Sequence, residues 1–234
     1  MISTRDLSGL PDIDALKRLM QSMAMLDAVL SPEWEYRYHS FNAKWSKGEQ
    51  MGSMRDGCGN DLHALFTDRG CFLKGFDHEA EMTPYKRKPK SVWPGVLNSV
   101  PWAFQSGLNQ PAFDPADTTF CIWREYGDAE WQRGKIKFPK VPLRFDGTPG
   151  DPDGSTELLS PYDGQPTTYL LWATDYFLDG DEGSRALLLT HVEHVYGHKP
   201  LTTKLVQQIN PAVTLRTLAK DIDEIGYPRR ESKR

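Results

Sequence analysis

Two β-type runs, Asp61 to Thr67 and Cys71 to Asp77, face each other across Asp68-Arg69-Gly70, and no other stretch restricts the fold as strongly. A two-residue hairpin loop needs positive φ at both central positions, which Asp68-Arg69 suits poorly. A type I turn followed by a left-handed Gly70 in a G1 bulge fits these residues better. That three-residue loop predicts a register in which Thr67 faces Cys71, Phe66 faces Phe72, Leu65 faces Leu73, Leu62 faces Phe76 and Asp61 faces Asp77.

Successive strand residues point to opposite faces, so the register sorts the side chains. Leu62, Ala64, Phe66, Phe72, Lys74 and Phe76 are expected on a core face, and Asp61, His63, Leu65, Cys71, Leu73, Gly75 and Asp77 on the other. On the second face two carboxylates meet, with His63 diagonal to Asp77. Like charges so placed are unfavourable, unless they are wet, share a proton or have a cation beside them. Asp61, His63 and Asp77 are therefore the candidate catalytic residues, as an acid–base or metal-binding cluster. The plain alternative is a solvated hairpin end, and a two-residue loop would pair Asp61 with Phe76 and dissolve the cluster.

The rest of the chain supplies elements around this hairpin. Ile13, Leu16, Leu19, Met20, Met23, Leu26 and Leu30 recur at helical spacing, which predicts an amphipathic helix ended by Ser31-Pro32. Glu33 to Trp45 reads as a long aromatic strand with a bulge near His39-Ser40. Trp34, Tyr36 and Tyr38 share one of its faces and are the candidate ligand-binding platform, with ordinary cross-strand packing as the alternative. Gln50 to Arg55, Thr118 to Glu125 and Lys135 to Phe138 complete a sheet of five or six strands.

Lys86, Arg87, Lys88 and Lys90 lie in an irregular, proline-rich segment and read as a solvated loop. Prolines and glycines crowd residues 139–166, the best candidate boundary. Within it, Asp151-Pro-Asp153-Gly154 resembles the start of a calcium loop, but Tyr162 stands where the glutamate would be. A turn capping a helix at Ser155 is expected instead. Short helical patterns then cover 167–177, 184–196, 202–209 and 214–225. The whole predicts an α+β protein: an N-terminal helix packed on an antiparallel meander sheet of five or six strands (1–145), a C-terminal layer of short helices (155–228) and a disordered tail (229–234).

Other chemical residues carry less. His191, His194 and His198 lack the spacing of a zinc helix, and Cys58 between two glycines has no hydrolase motif around it. No P-loop, dinucleotide fingerprint, G-x-S-x-G elbow or paired-cysteine motif occurs, so no cofactor is expected. A net charge of −4 leaves no footprint for nucleic acid or membrane lipid. Three cysteines, with no secretory pattern at the N-terminus, fit the cytoplasm. The expected function is a non-catalytic binding or interaction protein, adaptor- or immunity-like, with a protein or small-molecule partner. The alternative is a hydrolase using Asp61, His63 and Asp77, with or without a divalent metal.

Overall fold

The computed structural model of the chain describes residues 1–144, 147–178 and 185–229. The expected tail beyond Arg229, and Ser184 at the head of one expected helix, lie outside them. The apolar spacing builds α1 (Ile13–Leu30), and its second half, from Leu19 onward, is buried on every side. Such burial requires partners for its polar residues. Gln21 donates to Ile225 O at 2.8 Å, and Ser22 Oγ lies 3.0 Å from Val195 O.

Six strands follow, β1 (His39–Ser46), β2 (Glu49–Arg55), β3 (Asp61–Phe66), β4 (Gly70–Phe76), β5 (Phe120–Glu125) and β6 (Gln132–Arg133). They form one antiparallel sheet in chain order, as a meander should. A short α2 (Gln105–Leu108) precedes β5. The chain then runs through α3 (Ser155–Leu159), α4 (Pro166–Ala173), α5 (Leu189–Tyr196), α6 (Thr203–Ile209) and α7 (Ala219–Ile225). This is the expected α+β layout, with the upper expected number of strands. The residues pack as two compact units, Met1–Ile13 with Ser53–Asp163 and Asp14–Gly52 with Gly164–Arg234. Chain order does not separate these units, unlike a single cut in the proline-rich stretch.

The hairpin register departs from expectation by one residue. Asp61 pairs with Phe76, Leu62 with Gly75, His63 with Lys74, Leu65 with Phe72 and Phe66 with Cys71. The loop has two residues, closed by the Thr67 N–H donating to Gly70 O at 2.9 Å. Thr67 Oγ1 also accepts the Arg69 N–H at 3.1 Å, which supports the tight turn from its own side chain. Gly70 does have positive φ, +151°, but the glycine answers β5 rather than a bulge. A Cβ at this position would sit 2.1 Å from Arg124 O.

This shift places Asp61, His63, Leu65, Phe72, Lys74 and Phe76 on one face, with Cys121 and Trp123 of β5 beside them. The irregular segment after β4 covers that face. Met82, Val96 and Phe104 pack with Phe72, Cys121 and Trp123 into one core cluster. Two further expectations change. Residues 34–36 form a 3₁₀ turn, so the aromatic strand begins only at His39. Arg37 bends the chain there by donating to Ser31 O and Pro32 O, each at 2.8 Å. The last strand is Gln132–Arg133, not 135–138.

The Asp151-to-Ser155 turn does cap a helix. Asp153 Oδ1 accepts the Ser155 N–H at 3.1 Å, and α3 starts there. The N-terminal arm is fastened to the same turn, with Thr4 Oγ1 on Asp153 Oδ2 at 2.5 Å and Thr4 N–H on Ser155 Oγ at 2.9 Å. Burial, and then the neighbouring Asp153, push the Asp151 carboxyl up to about 6.

Two expectations follow for stability. Gly70→Ala should cost about 3 kcal/mol in urea denaturation, because the methyl group meets backbone that cannot move aside. Gly57→Ala, at positive φ with open space around it, should cost only about 1 kcal/mol. Because Asp151 is raised, the folded state holds a proton that the unfolded chain has released, so stability falls as pH rises from about 4 to about 6. Asp151→Asn should flatten that slope and be about 1–2 kcal/mol more stable than wild type at neutral pH.

Candidate functional site

The shifted register brings Asp61 and His63 together but gives them Lys74 as a third member, where Asp77 was expected. Asp61 Oδ1 lies 3.2 Å from His63 Nδ1 and 3.1 Å from Lys74 Nζ. Phe113 stacks on the His63 ring, centroids 4.9 Å apart. Asp77 lies one residue past the β3–β4 ladder. Its Oδ1 accepts the N–H groups of Glu79 and Ala80 at 2.8 and 3.0 Å, so it caps its own turn.

Lys74 is 2% exposed. Burial pulls its ammonium below the ordinary lysine range, and Asp61, Asp114 and Asp117 oppose that pull. Burial acts on Asp61 in the raising direction, but the adjacent His63 and Lys74 hold its carboxyl below the usual range. The trio is therefore an ion pair between the buried Lys74 and the half-buried Asp61, with a histidine at its side. Sequence reasoning missed Lys74 because the wrong register put it on the opposite face from Asp61.

The C-terminal histidines each turn to a neighbouring backbone. Leu188 N–H donates to His191 Nδ1 at 3.3 Å, while His194 Nε2 sits 3.1 Å from Pro200 O and His198 Nε2 3.0 Å from Arg18 O. Among the described residues, no three His, Cys, Asp or Glu side chains are grouped as metal ligands. Cys58 is an exposed free thiol, and Cys71 and Cys121 are buried.

A second constellation lies in the unit formed by Asp14–Gly52 and Gly164–Arg234. Asp27 on α1 is fully buried. Its Oδ2 accepts the N–H groups of Tyr38 and His39 at 3.0 and 2.7 Å, and its Oδ1 accepts Tyr169 Oη at 2.6 Å. His39 Nδ1 lies 3.3 Å from the same carboxylate. Burial, and then the charge of Asp27, push the Tyr169 hydroxyl well above its ordinary value, so it stays a donor.

Above this anchor stands a wall of rings. After α4 the chain makes a π-helical turn, Thr174–Leu178. Tyr169, Ala173 and Phe177 point inward, leaving Trp172 and Tyr176 on another side. Trp172 and Tyr176 stack at 5.3 Å, and Tyr38 closes on them at 4.8 and 5.4 Å. The His39 ring meets Trp172 edge-on at 5.0 Å. Tyr38 and Trp172 are half-buried, and Tyr176 is 46% exposed.

Of the three expected platform residues, Tyr38 joins this cluster. Trp34 and Tyr36 sit in the 3₁₀ turn before it, 53% and 58% exposed. Asp27, Tyr169, Trp172 and Tyr176 had no sequence signal as a group, since more than 100 residues separate the contributing segments.

By fold the chain is an α+β protein built on an antiparallel sheet, and among the described residues no helix is long and apolar enough to cross a membrane. No family model, curated protein or solved structure matches it. Its two polar centres must therefore be read from their own geometry.

The ion pair of the first centre allows a direct check. Lys74→Met leaves Asp61 without its cation and should destabilise the fold by about 3 kcal/mol. The double variant Asp61→Asn with Lys74→Met should recover most of that loss in urea melts, because both charges are then gone.

Proposed function

We propose that the protein is a non-catalytic binding protein, of adaptor or immunity type, which takes a protein or small-molecule partner on the aromatic face of Tyr38, Trp172 and Tyr176. The observation that carries this reading is the combination of three rings in mutual contact with a buried polar clamp behind them. Aromatic side chains offer large contact area and few rotamers to freeze, which is why they concentrate at recognition surfaces. Asp27 fixes the Tyr38 backbone, so little order remains to be imposed when a partner arrives. A count of three cysteines, with no paired spacing, supports action in the reducing cytoplasm.

A second reading, hydrolysis through Asp61 and His63, keeps one observation in its favour, the 3.2 Å approach of the two side chains. Against it, Lys74 is bonded to the same carboxylate oxygen and Asp77 is engaged in its own turn.

Affinity purification of the tagged protein from cells that express it separates the two. Wild type should enrich a partner that Tyr176→Ser depletes at least about tenfold, since aromatic anchors at interfaces are worth that much. Asp61→Asn should leave that enrichment unchanged, and the purified pair should rebind. If Tyr176→Ser retains every partner, or if ester or phosphoester hydrolysis appears and vanishes in Asp61→Asn, the binding reading fails.

A further inference from the structure

Within the unit that holds β3 to β6, a groove of about 610 Å³ runs between the N-terminal arm and the segment from Arg124 to Lys135. Arg5, Arg124, Arg133 and Lys135 line it, against two carboxylates, Asp6 and Glu130, which leaves the groove two positive charges in a chain of net charge −4. Asp6 is occupied locally, accepting Ser8 Oγ and Ser8 N–H at 2.6 and 3.1 Å.

The arginines are held in place by neutral groups. Arg5 Nη2 donates to Gly150 O at 2.7 Å. Arg124 Nε and Nη2 donate to Asp128 O and Ala129 O at 3.3 and 3.0 Å. Arg133 Nη1 donates to Gly134 O at 3.1 Å, and its guanidinium lies 5.3 Å over the Phe138 ring. Among the described residues none of the three, nor Lys135, is paired with a carboxylate. Carbonyl oxygens and a ring face position a guanidinium without neutralising it, and each group keeps donors to spare.

We propose that this groove binds a small molecule bearing two or more adjacent phosphate groups. Three guanidiniums match the oxygens of a phosphate chain through paired, charge-assisted hydrogen bonds, whereas the two oxygens of a single carboxylate are too few for all three. The volume suits a ligand of nucleotide size. The flanking Leu7, Leu10 and Trp131 give an apolar margin against which a base could rest. This site is independent of the aromatic face, and either can fail without the other.

Titration calorimetry of the full chain, at an ionic strength of about 0.1 M so that loose surface attraction is screened, uses inorganic pyrophosphate, ADP, adenosine and citrate as probes. Pyrophosphate and ADP should bind saturably, and adenosine should not. Tighter binding of ADP would assign a nucleotide, and equal binding the phosphate chain alone. Arg124→Gln and Arg133→Gln should each weaken binding about tenfold, the effect of one charge-assisted bond. Lys135→Gln, at an exposed side chain, should weaken it about threefold and guards against variants that disturb the turn. Absence of pyrophosphate and ADP binding, citrate binding as tight as pyrophosphate, or affinities unchanged in all three variants would overturn the proposal.

Discussion

A carboxylate taken wholly out of water must be answered by hydrogen-bond donors, and the donors that Asp27 recruits organise the unit around it. Two of them are consecutive backbone N–H groups at Tyr38 and His39, so the chain entering β1 is pinned against α1. The third, Tyr169, ties in α4. Because α4 is fixed at that point, the next turn of helix carries Trp172 and Tyr176 to the side where Tyr38 stands. The C-terminal end of α1 is served in the same way, with Asn210 and Arg185 donating to Val29 O and Leu30 O at 2.9 and 3.1 Å. Remove the carboxylate, and the aromatic wall loses the reason for its alignment.

Local pattern was enough to read α1, the strands near Gln50, Asp61, Cys71 and Phe120, and the cap at Asp153. Each rests on spacing or turn chemistry within a dozen residues. The hairpin register was not readable in that way. Gly70 invited a bulge, but what it accommodates is the carbonyl of Arg124, more than fifty residues further along the chain. A glycine states that a side chain is unwelcome without stating which neighbour objects. One residue of slip was enough to exchange Asp77 for Lys74 in the expected cluster.

The aromatic strand failed as a prediction for a related reason. Alternation of Trp34, Tyr36 and Tyr38 fits an extended chain, yet Arg37 finds two carbonyls behind it and Asp221 at 2.5 Å. Those bonds favour a tight turn, and Asp221 is contributed by the far end of the sequence. The polar centres share this property. Asp27, His39 and Tyr169 assemble over long separations, and only Asp61 with His63 was close enough in sequence to be suspected.

The interleaving of the two units has one more meaning. The chain changes unit after Ile13, after Gly52 and after Asp163, so each unit is stitched from two separate lengths of polypeptide. Neither can be excised as a continuous fragment, nor be exchanged for another by joining genes end to end. A break after Gly52 leaves each fragment holding part of both units and the whole of neither.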